Sequence, residues 1–392
     1  MTCRLCQSNQ LEVLFRSPSE KSLCSLMKAI DVSMEVLICK ECGHIMNSRQ
    51  YDDEIDDFYE KDYDLLMDSD VSQELFLDRA GHPVTKSERL FYPFKQIVER
   101  LGLDRGSYLD IGCGKGLALR AFRNAFPKWD IWGFEVSNRY KPLLEKYMEA
   151  DKLILGAPHL LERATSQFEV ISLFDVLEHV RDPVSVLRNA TKLLKEGGYL
   201  YIQVPEIFEG HMDWLIADHL SHFSFDTIQR LAGICGLKVR SVVDHYSVGG
   251  LQMLCQKSKM ISEDIMKKRL VNVYEINKAT IKSHIRYWER YASKVHDVLR
   301  EAAEMRKPFA VFGTGTAASV IPVYVAESLK WISCFIDENP HRIGKKHFDK
   351  PVVGLHHHPK EVDTIFLGIA SQNIKFISPK FEGTGVRIVC VL

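Results

Sequence analysis

The sequence has no run approaching the roughly twenty apolar residues needed to span a bilayer. It also has no surplus of charge of either sign, with 51 Lys plus Arg against 52 Asp plus Glu. The first absence excludes a membrane-spanning helix. The second removes the electrostatic reason to expect DNA, RNA or an acidic membrane as partner. The opening MTCRLCQSNQ lacks a basic n-region and an apolar h-region, so the expectation is a cytoplasmic chain without a signal peptide. A length of 392 residues points to two or three domains. Apolar residues make up 46% of the chain, enough for each domain to bury its own core.

What is present begins with cysteine. Ten cysteines in a chain of this type read as thiols or metal ligands rather than disulfides. Two C-x2-C knuckles open the chain, Cys3/Cys6 and Cys39/Cys42, with 32 residues between them. Each knuckle turns two thiolates toward one cation, and four thiolates close a tetrahedral Zn2+ shell. A closed shell has no position for water, so the zinc is expected to be structural, holding a module too small to build its own core. Cys24 and His44 lie nearby as alternative ligands. A redox dithiol fits poorly, because neither knuckle stands between a strand and a helix.

The segment SYLDIGCGKGLALRAFRNAF reads as a strand ending at Asp110, a turn through Gly112, Gly114 and Gly116, then a helix. Glycine lets a backbone approach a ligand closely, and a helix N-terminus offers free N–H groups. WDIWGFEVS reads as the next strand, ending at Glu135. Its carboxylate follows the glycines by about twenty residues, the spacing at which an acid binds both hydroxyls of a ribose. FEVISLFDVLEHVRDP and LLKEGGYLYIQVPE supply further strand and helix boundaries in order.

This succession resembles the class I S-adenosylmethionine (SAM) methyltransferases over roughly residues 85–255. The resemblance implies an α/β doubly wound sheet, with SAM contacts at Asp110, Gly112, Gly114 and Glu135. It places Phe174 and Asp175 near the methionine part of the cofactor. His179 is read either as a helix-cap or packing residue or as part of the cofactor pocket.

The strand YLYIQVPE is followed by HMDWLIADHLSHFSFDTI. In doubly wound sheets ligands sit beyond the carboxyl ends of the strands, so this segment is expected over the methyl donor. Asp218, His219, Ser221 and His222 lie within it, and Ser224 reads as the cap of the next helix. D-H-L-S-H-F resembles the E-H-L-S-Y-F motif of SAM-dependent C-methyltransferases that act on nucleotide-linked keto-deoxysugars. Those enzymes begin with a four-cysteine zinc module and end with a second Rossmann-like domain, so the likeness covers nearly the whole chain. It implies His219 as the base that takes a proton from the carbon beside a ketone, with Asp218 as its partner or a competing base. It further implies substrate contacts at Ser221 and His222, and a role near the sugar for Tyr63.

SVGGLQMLC resembles the family's G-G-S-L-R strand, which brings Gly250 and Gln252 toward the substrate. The serine and arginine of that pattern are absent. The same cofactor and base would also serve an O- or N-methyltransferase on another sugar or small molecule. A non-catalytic scaffold that binds SAM or nucleotide is a further alternative.

The expected organisation is a zinc-binding module over 1–60, a SAM-dependent methyltransferase domain over 61–255, a helical connector over 256–307 and a Rossmann-like domain over 308–392. Two helices are expected in the connector, with Ile265, Val273, Ile276, Ile281, Ile285 and Trp288 forming an apolar stripe. In the last domain, PFAVFGTGTAASVIPVYV and a strand ending at Asp337 taken alone suggest a nicotinamide dinucleotide site. The resemblance favours a domain that helps to enclose a nucleotide-sugar.

Overall fold

The computed structural model describes residues 1–49, 52–57, 75–78, 80–156, 160–161, 167–209, 212–243, 250–258 and 272–391. Its central domain is a seven-stranded sheet. In spatial order the strands are Leu153–Leu155, Asp130–Glu135, Ser107–Ile111, Phe168–Phe174, Leu194–Pro205, Gly250–Lys257 and Leu237–Val243. Numbered along the chain, this order is 3-2-1-4-5-7-6, and only Gly250–Lys257 runs against the others. That order, with its antiparallel seventh strand, is the class I methyltransferase fold.

Helices cover both faces, so the central strands are buried on both sides and read as apolar runs. Along Ser107–Ile111, Tyr108 packs on one face with Phe94, Phe122 and Phe174, while Leu109 and Ile111 pack on the other. The helix Lys86–Arg100 starts at a capping box in which Thr85 accepts from the Glu88 N–H and Glu88 accepts from the Thr85 N–H. Its residues Leu90, Phe91, Phe94, Ile97 and Val98 recur at helical spacing and form the buried face. Phe94 lies 4.9 Å from Tyr201, and Tyr108 stacks on Phe122 at 3.9 Å.

The N-terminal module is a sheet of Leu11–Arg16, Glu35–Cys39 and Ile45–Asn47, and its fourth strand comes from elsewhere. Ser221 and His222 pair antiparallel with Met46 and Ile45, so the segment following the fifth central strand completes the module. Arg4 adds a second tie between module and domain. It is fully buried, donates to Asp52 at 2.5 and 3.1 Å and to the Arg181 carbonyl at 3.2 Å.

The described part of the connector holds one helix, Val273–Met305, and Ile265 of the expected stripe lies outside the described residues. Ile281 and Trp288 face the core as the stripe requires, but Ile276 is 47% exposed. The buried face is continued by Asn277 and His284, polar residues that an apolar count passes over. Asn277 donates to the Gly43 carbonyl at 2.9 Å and to Ser224 at 3.0 Å.

The last domain is a six-stranded sheet ordered Lys346–His347, Lys350–Val353, Ile332–Ile336, Phe309–Phe312, Thr364–Leu367 and Arg387–Val389. It is parallel except for the edge hairpin formed by the first two. It shares one apolar core with the long helix, the N-terminal module, Ile207 and residues 212–217. Tyr324 sits at this junction, donating to the Leu215 carbonyl at 2.9 Å and accepting from the Leu23 N–H at 3.4 Å. No helix among the described residues is long and apolar enough to cross a membrane.

Removing one partner of a buried ion pair strands the other charge, which costs about 3–5 kcal/mol. Arg4→Ala should therefore lower stability by that amount in a urea titration. Lys380→Ala, which breaks the exposed Lys380–Glu338 pair, should cost less than about 1 kcal/mol.

Candidate active site

The site lies beyond the carboxyl ends of the central strands, where the strand order reverses between Ser107–Ile111 and Phe168–Phe174. Gly112, Gly114 and Gly116 all have positive φ, between 51° and 74°. A side chain at the outer two also has no room. A Cβ on Gly112 would lie 2.5 Å from Val176, and one on Gly116 would lie 2.0 Å from the Tyr147 hydroxyl. The loop is built for close backbone approach, which fits a cofactor seated on it.

Glu135 ends the neighbouring strand with its carboxylate against this loop. One oxygen accepts from the Gly114 N–H at 2.7 Å and the other from the Ser137 N–H at 2.9 Å. Each oxygen keeps a lone pair, which suits a ribose diol. Asp110 lies in the same layer, in a buried chain of hydroxyls. Tyr108 and Ser172 are 2.7 Å apart, and Ser172 donates to Asp110 at 2.6 Å. Burial raises the Asp110 carboxyl to about 7; the Ser172 hydrogen bond opposes this and the Glu135 charge adds to it.

Phe174 ends the fourth strand, buried among Phe94 and Tyr201. Asp175 follows in the left-handed region at φ 53°. It is held there from the next strand: its N–H donates to the Gln203 carbonyl at 3.0 Å, and its carboxylate accepts from the Gln203 amide at 3.2 Å. Gln252 donates to Gln203 at 3.0 Å, and Lys86 stands 3.8 Å from Asp175. Gln252, expected against the substrate, thus supports Asp175 through Gln203. Gly250 pairs with Pro205 at the end of the fifth strand.

His219 is 7% exposed, with its ring 4.8 Å from that of His179 in an edge-to-face arrangement. Burial holds its pKa well below 6.5, and the neighbouring His179 pushes the same way. It borders a cavity lined also by Glu206, Asp213, Trp214, His222 and His284. The structure corrects the part expected of Asp218. Its carboxylate is fully buried and accepts from the Ser25 N–H at 2.7 Å and the Ser25 hydroxyl at 2.5 Å. The imidazole 3.6 Å from it is that of His179. Asp218 is a tether to the N-terminal module, and His179 belongs to the His219 cluster rather than to a helix cap.

Ser221 and His222 border the same cavity, yet their side chains turn toward the module. Ser221 lies 3.2 Å from His44, and His222 lies 3.2 Å from Asn47. Their strand pairing sets this direction. Tyr63 lies outside the described residues.

The four cysteines converge. Cys3 and Cys42 sulfurs are 3.6 Å apart, Cys6 and Cys39 3.5 Å, and all four lie within 4.8 Å of one another. A zinc ion with bonds of about 2.3 Å needs tetrahedral edges of about 3.8 Å, so the thiolates fit it closely. Cys24 packs instead with Leu26, and His44 faces Ser221, which leaves the set at four among the described residues.

In the last domain, Thr314 of the glycine loop donates to Asp337, which also accepts from the Asn339 N–H at 2.8 Å. Arg342 donates to the Thr314 carbonyl at 2.8 Å. Asp337 is thus hydrogen-bonded within its own loop.

Residues 87–242 match the family model for a methyltransferase domain. A ubiquinone biosynthesis O-methyltransferase of Pseudomonas aeruginosa (strain UCBPP-PA14) is 33% identical over 113 residues, 27% of this chain and 47% of that protein. Its counterpart in Stutzerimonas stutzeri (strain A1501) is 32% identical over 108 residues, again 27% and 47%. The chain spans about half the length of the curated relatives it matches. A SAM-dependent methyltransferase from Clostridium acetobutylicum ATCC 824 overlays 44% of this chain and 93% of its own at 13% identity, with a TM-score of 0.37. Sheet order, glycine loop and family match together define the central domain as a SAM-dependent methyltransferase domain of class I.

Several residues of this site escaped the sequence reading. Glu178, adjacent to His179, lies buried in the His219 cluster. Ser172, Gln203 and Lys86 act on Asp110 and Asp175 from neighbouring elements. For Ser172 and Gln203 the available signal was positional: polar residues inside strands predicted to be buried.

The raised Asp110 value has a consequence for stability. Between its ordinary 3.8 and about 7 the folded chain holds a proton that the unfolded chain has lost. Stability from this group is full below the lower value and is lost as pH rises through the upper one. Without cofactor, Asp110→Asn should melt above wild type by a margin that widens from pH 4 to pH 8.

Proposed function

We propose that the chain transfers the methyl group of SAM to a carbon of a nucleotide-linked keto-deoxysugar. The observation that carries this reading is His219, a buried imidazole kept neutral at the edge of a polar cavity beyond the carboxyl ends of the sheet. The accompanying modules support it, since the chain joins a four-cysteine module and a second Rossmann-like domain to the methyltransferase domain. The curated relatives match only 27% of the chain, so they bear on the methyltransferase domain more than on the acceptor. Their names favour a second reading, methylation of a hydroxyl oxygen by the same imidazole.

SAM supplies a methyl group on a sulfonium. His219 takes the proton from the carbon beside the ketone, and that C–H electron pair becomes the enolate. The enolate carbon bonds to the methyl as the C–S pair returns to sulfur, leaving a neutral thioether. His219 leaves the step as an imidazolium, beside Glu178 and His179. Proximity within the cavity supplies much of the rate. A low imidazole pKa keeps the base form present in mild acid, so the acid limb of kcat should fall below pH 6.5.

Cys3, Cys6, Cys39 and Cys42 hold a structural Zn2+ in this proposal, and thiolate ligation is consistent with a reducing, cytoplasmic setting. The module packs against residues 216–222, so zinc acts at a distance through that segment. Metal analysis of Cys39→Ser should find the zinc lost. The variant should lose methyl transfer while keeping a melting shift with S-adenosylhomocysteine.

The acceptor test runs in D2O with S-adenosylhomocysteine and keto-sugars carried on dTDP, UDP, GDP or CDP. A bound nucleotide at a hundred times its dissociation constant stabilises by about 2.7 kcal/mol, which identifies the carrier. The reading expects deuterium to enter the carbon beside the ketone, and His219→Asn to abolish this exchange. Methylation of an oxygen without exchange would establish the second reading. A melting shift with S-adenosylhomocysteine but with no nucleotide would overturn the nucleotide-sugar acceptor.

A further inference from the structure

Glu178 is 1% exposed, and neither of its carboxylate oxygens has a hydrogen-bond partner among the described residues. Leaving a carboxylate in that state costs several kcal/mol, so it carries a proton or faces a cation. Lys86, which acts on Glu178 through space, stands 3.8 Å from Asp175.

The groups around Glu178 offer a place for a cation. His179 Nδ1 lies 2.9 Å from the Asp218 carbonyl, which can only accept. In the neutral imidazole the proton then sits on Nδ1, which leaves Nε2 as the nitrogen toward Glu178 Oε1, 3.9 Å away. A metal-binding imidazole is oriented in this way, through its second nitrogen on a main-chain carbonyl. The backbone reinforces the arrangement. The Ser221 N–H donates to the Glu178 carbonyl at 3.1 Å, and the His219 N–H donates to the Ile216 carbonyl at 3.1 Å. Residues 178–179 and 218–221 are thereby fastened to each other.

Ligand atoms of Glu178, His179 and His219 all lie within 4.8 Å of one another. Metal bonds of about 2.0–2.2 Å place ligand atoms roughly 3–3.5 Å apart, so binding would draw these atoms closer together. We propose that Glu178, His179 and His219 bind a divalent transition-metal ion beside the cavity that His219 borders. Two imidazoles and one carboxylate suit Mn2+, Fe2+, Co2+ or Zn2+ and leave coordination positions open. His219 borders the cavity, so those positions face the acceptor.

The ion's chemistry rests on the methyl-transfer reading, although its binding does not. An ion here polarises a ketone or hydroxyl oxygen of the acceptor. With an ion bound, His219 would be a ligand and no longer the base of the metal-free reading above, and a metal-bound hydroxide would take the acceptor proton and become water. This site is separate from the four cysteines, whose sulfur ligands and closed shell suit a structural zinc.

The test uses the full chain loaded with one zinc at its cysteines. Equilibrium dialysis against Mn2+ or Co2+, followed by metal analysis, should find one further ion per chain. Bound Co2+ should give d–d bands without a thiolate charge-transfer band. Glu178→Gln mimics the protonated acid, and should weaken the second ion by roughly 100-fold or more. It should retain the cysteine-bound zinc and the melting shift with S-adenosylhomocysteine. Should this variant fail to fold, Mn2+ added to wild type should selectively broaden the ring resonances of His179 and His219. No second ion at millimolar metal, or equal binding by wild type and Glu178→Gln, would overturn the site. Loss of the S-adenosylhomocysteine shift in wild type would instead count against the methyl-transfer reading.

Discussion

The side-chain amide of Asn47 holds the site together. Its Nδ2 donates to three main-chain carbonyls of one short segment: Ile216 at 3.2 Å, Ala217 at 2.9 Å and His219 at 2.9 Å. Two protons shared among three acceptors fix a non-helical, non-strand backbone that has no ladder of its own. Asn47 is 3% exposed, so water does not compete for those carbonyls. The imidazole of His219 therefore takes its direction from a residue more than 170 positions earlier in the chain. The Asp218–Ser25 contacts and the Ser221–His222 strand pair repeat the same tie on either side.

This constraint gives the N-terminal module a chemical part without a place in the cavity. A zinc at the cysteines would hold Glu35–Cys39 and Ile45–Asn47 in register, and Asn47 ends the second of these strands. The buried Arg4–Asp52 pair sits beside it, with Arg4 also 3.5 Å from the Asn47 carbonyl. Metal, ion pair and amide thus act in series on residues 216–222. The C-terminal domain reaches the same segment from its far side through Tyr324 and the Leu215 carbonyl.

Much of the cofactor half was legible in the sequence because its signals are local. A glycine loop needs positive φ, and an acid at the end of the next strand follows from spacing alone, so Gly112, Gly114, Gly116 and Glu135 stand where the pattern put them. The acceptor half was less legible because it is built by long-range contacts. Adjacency suggested that Asp218 orients His219, but the backbone turns the carboxylate to Ser25. Gln252 looked like a substrate contact, and the antiparallel seventh strand places it beside Gln203. The Val273–Met305 helix hid its buried face behind Asn277 and His284, whose partners lie in other modules. Glu178 gave only its position beside a histidine, and no local rule distinguishes a buried carboxylate from a solvated one.

The Tyr324 hydroxyl that joins Leu23 to Leu215 closes a loop of 301 residues. Contacts of such separation form late, because loop-closure entropy opposes them until nearer contacts are in place. The central sheet can form from neighbours in sequence, but residues 215–222 acquire their final shape only after both flanking modules have folded. During synthesis, a chain that has not yet exposed Tyr324 can complete its glycine loop well before its histidine cluster. Cofactor binding and methyl transfer are then expected to mature at different times, with the chemistry appearing last.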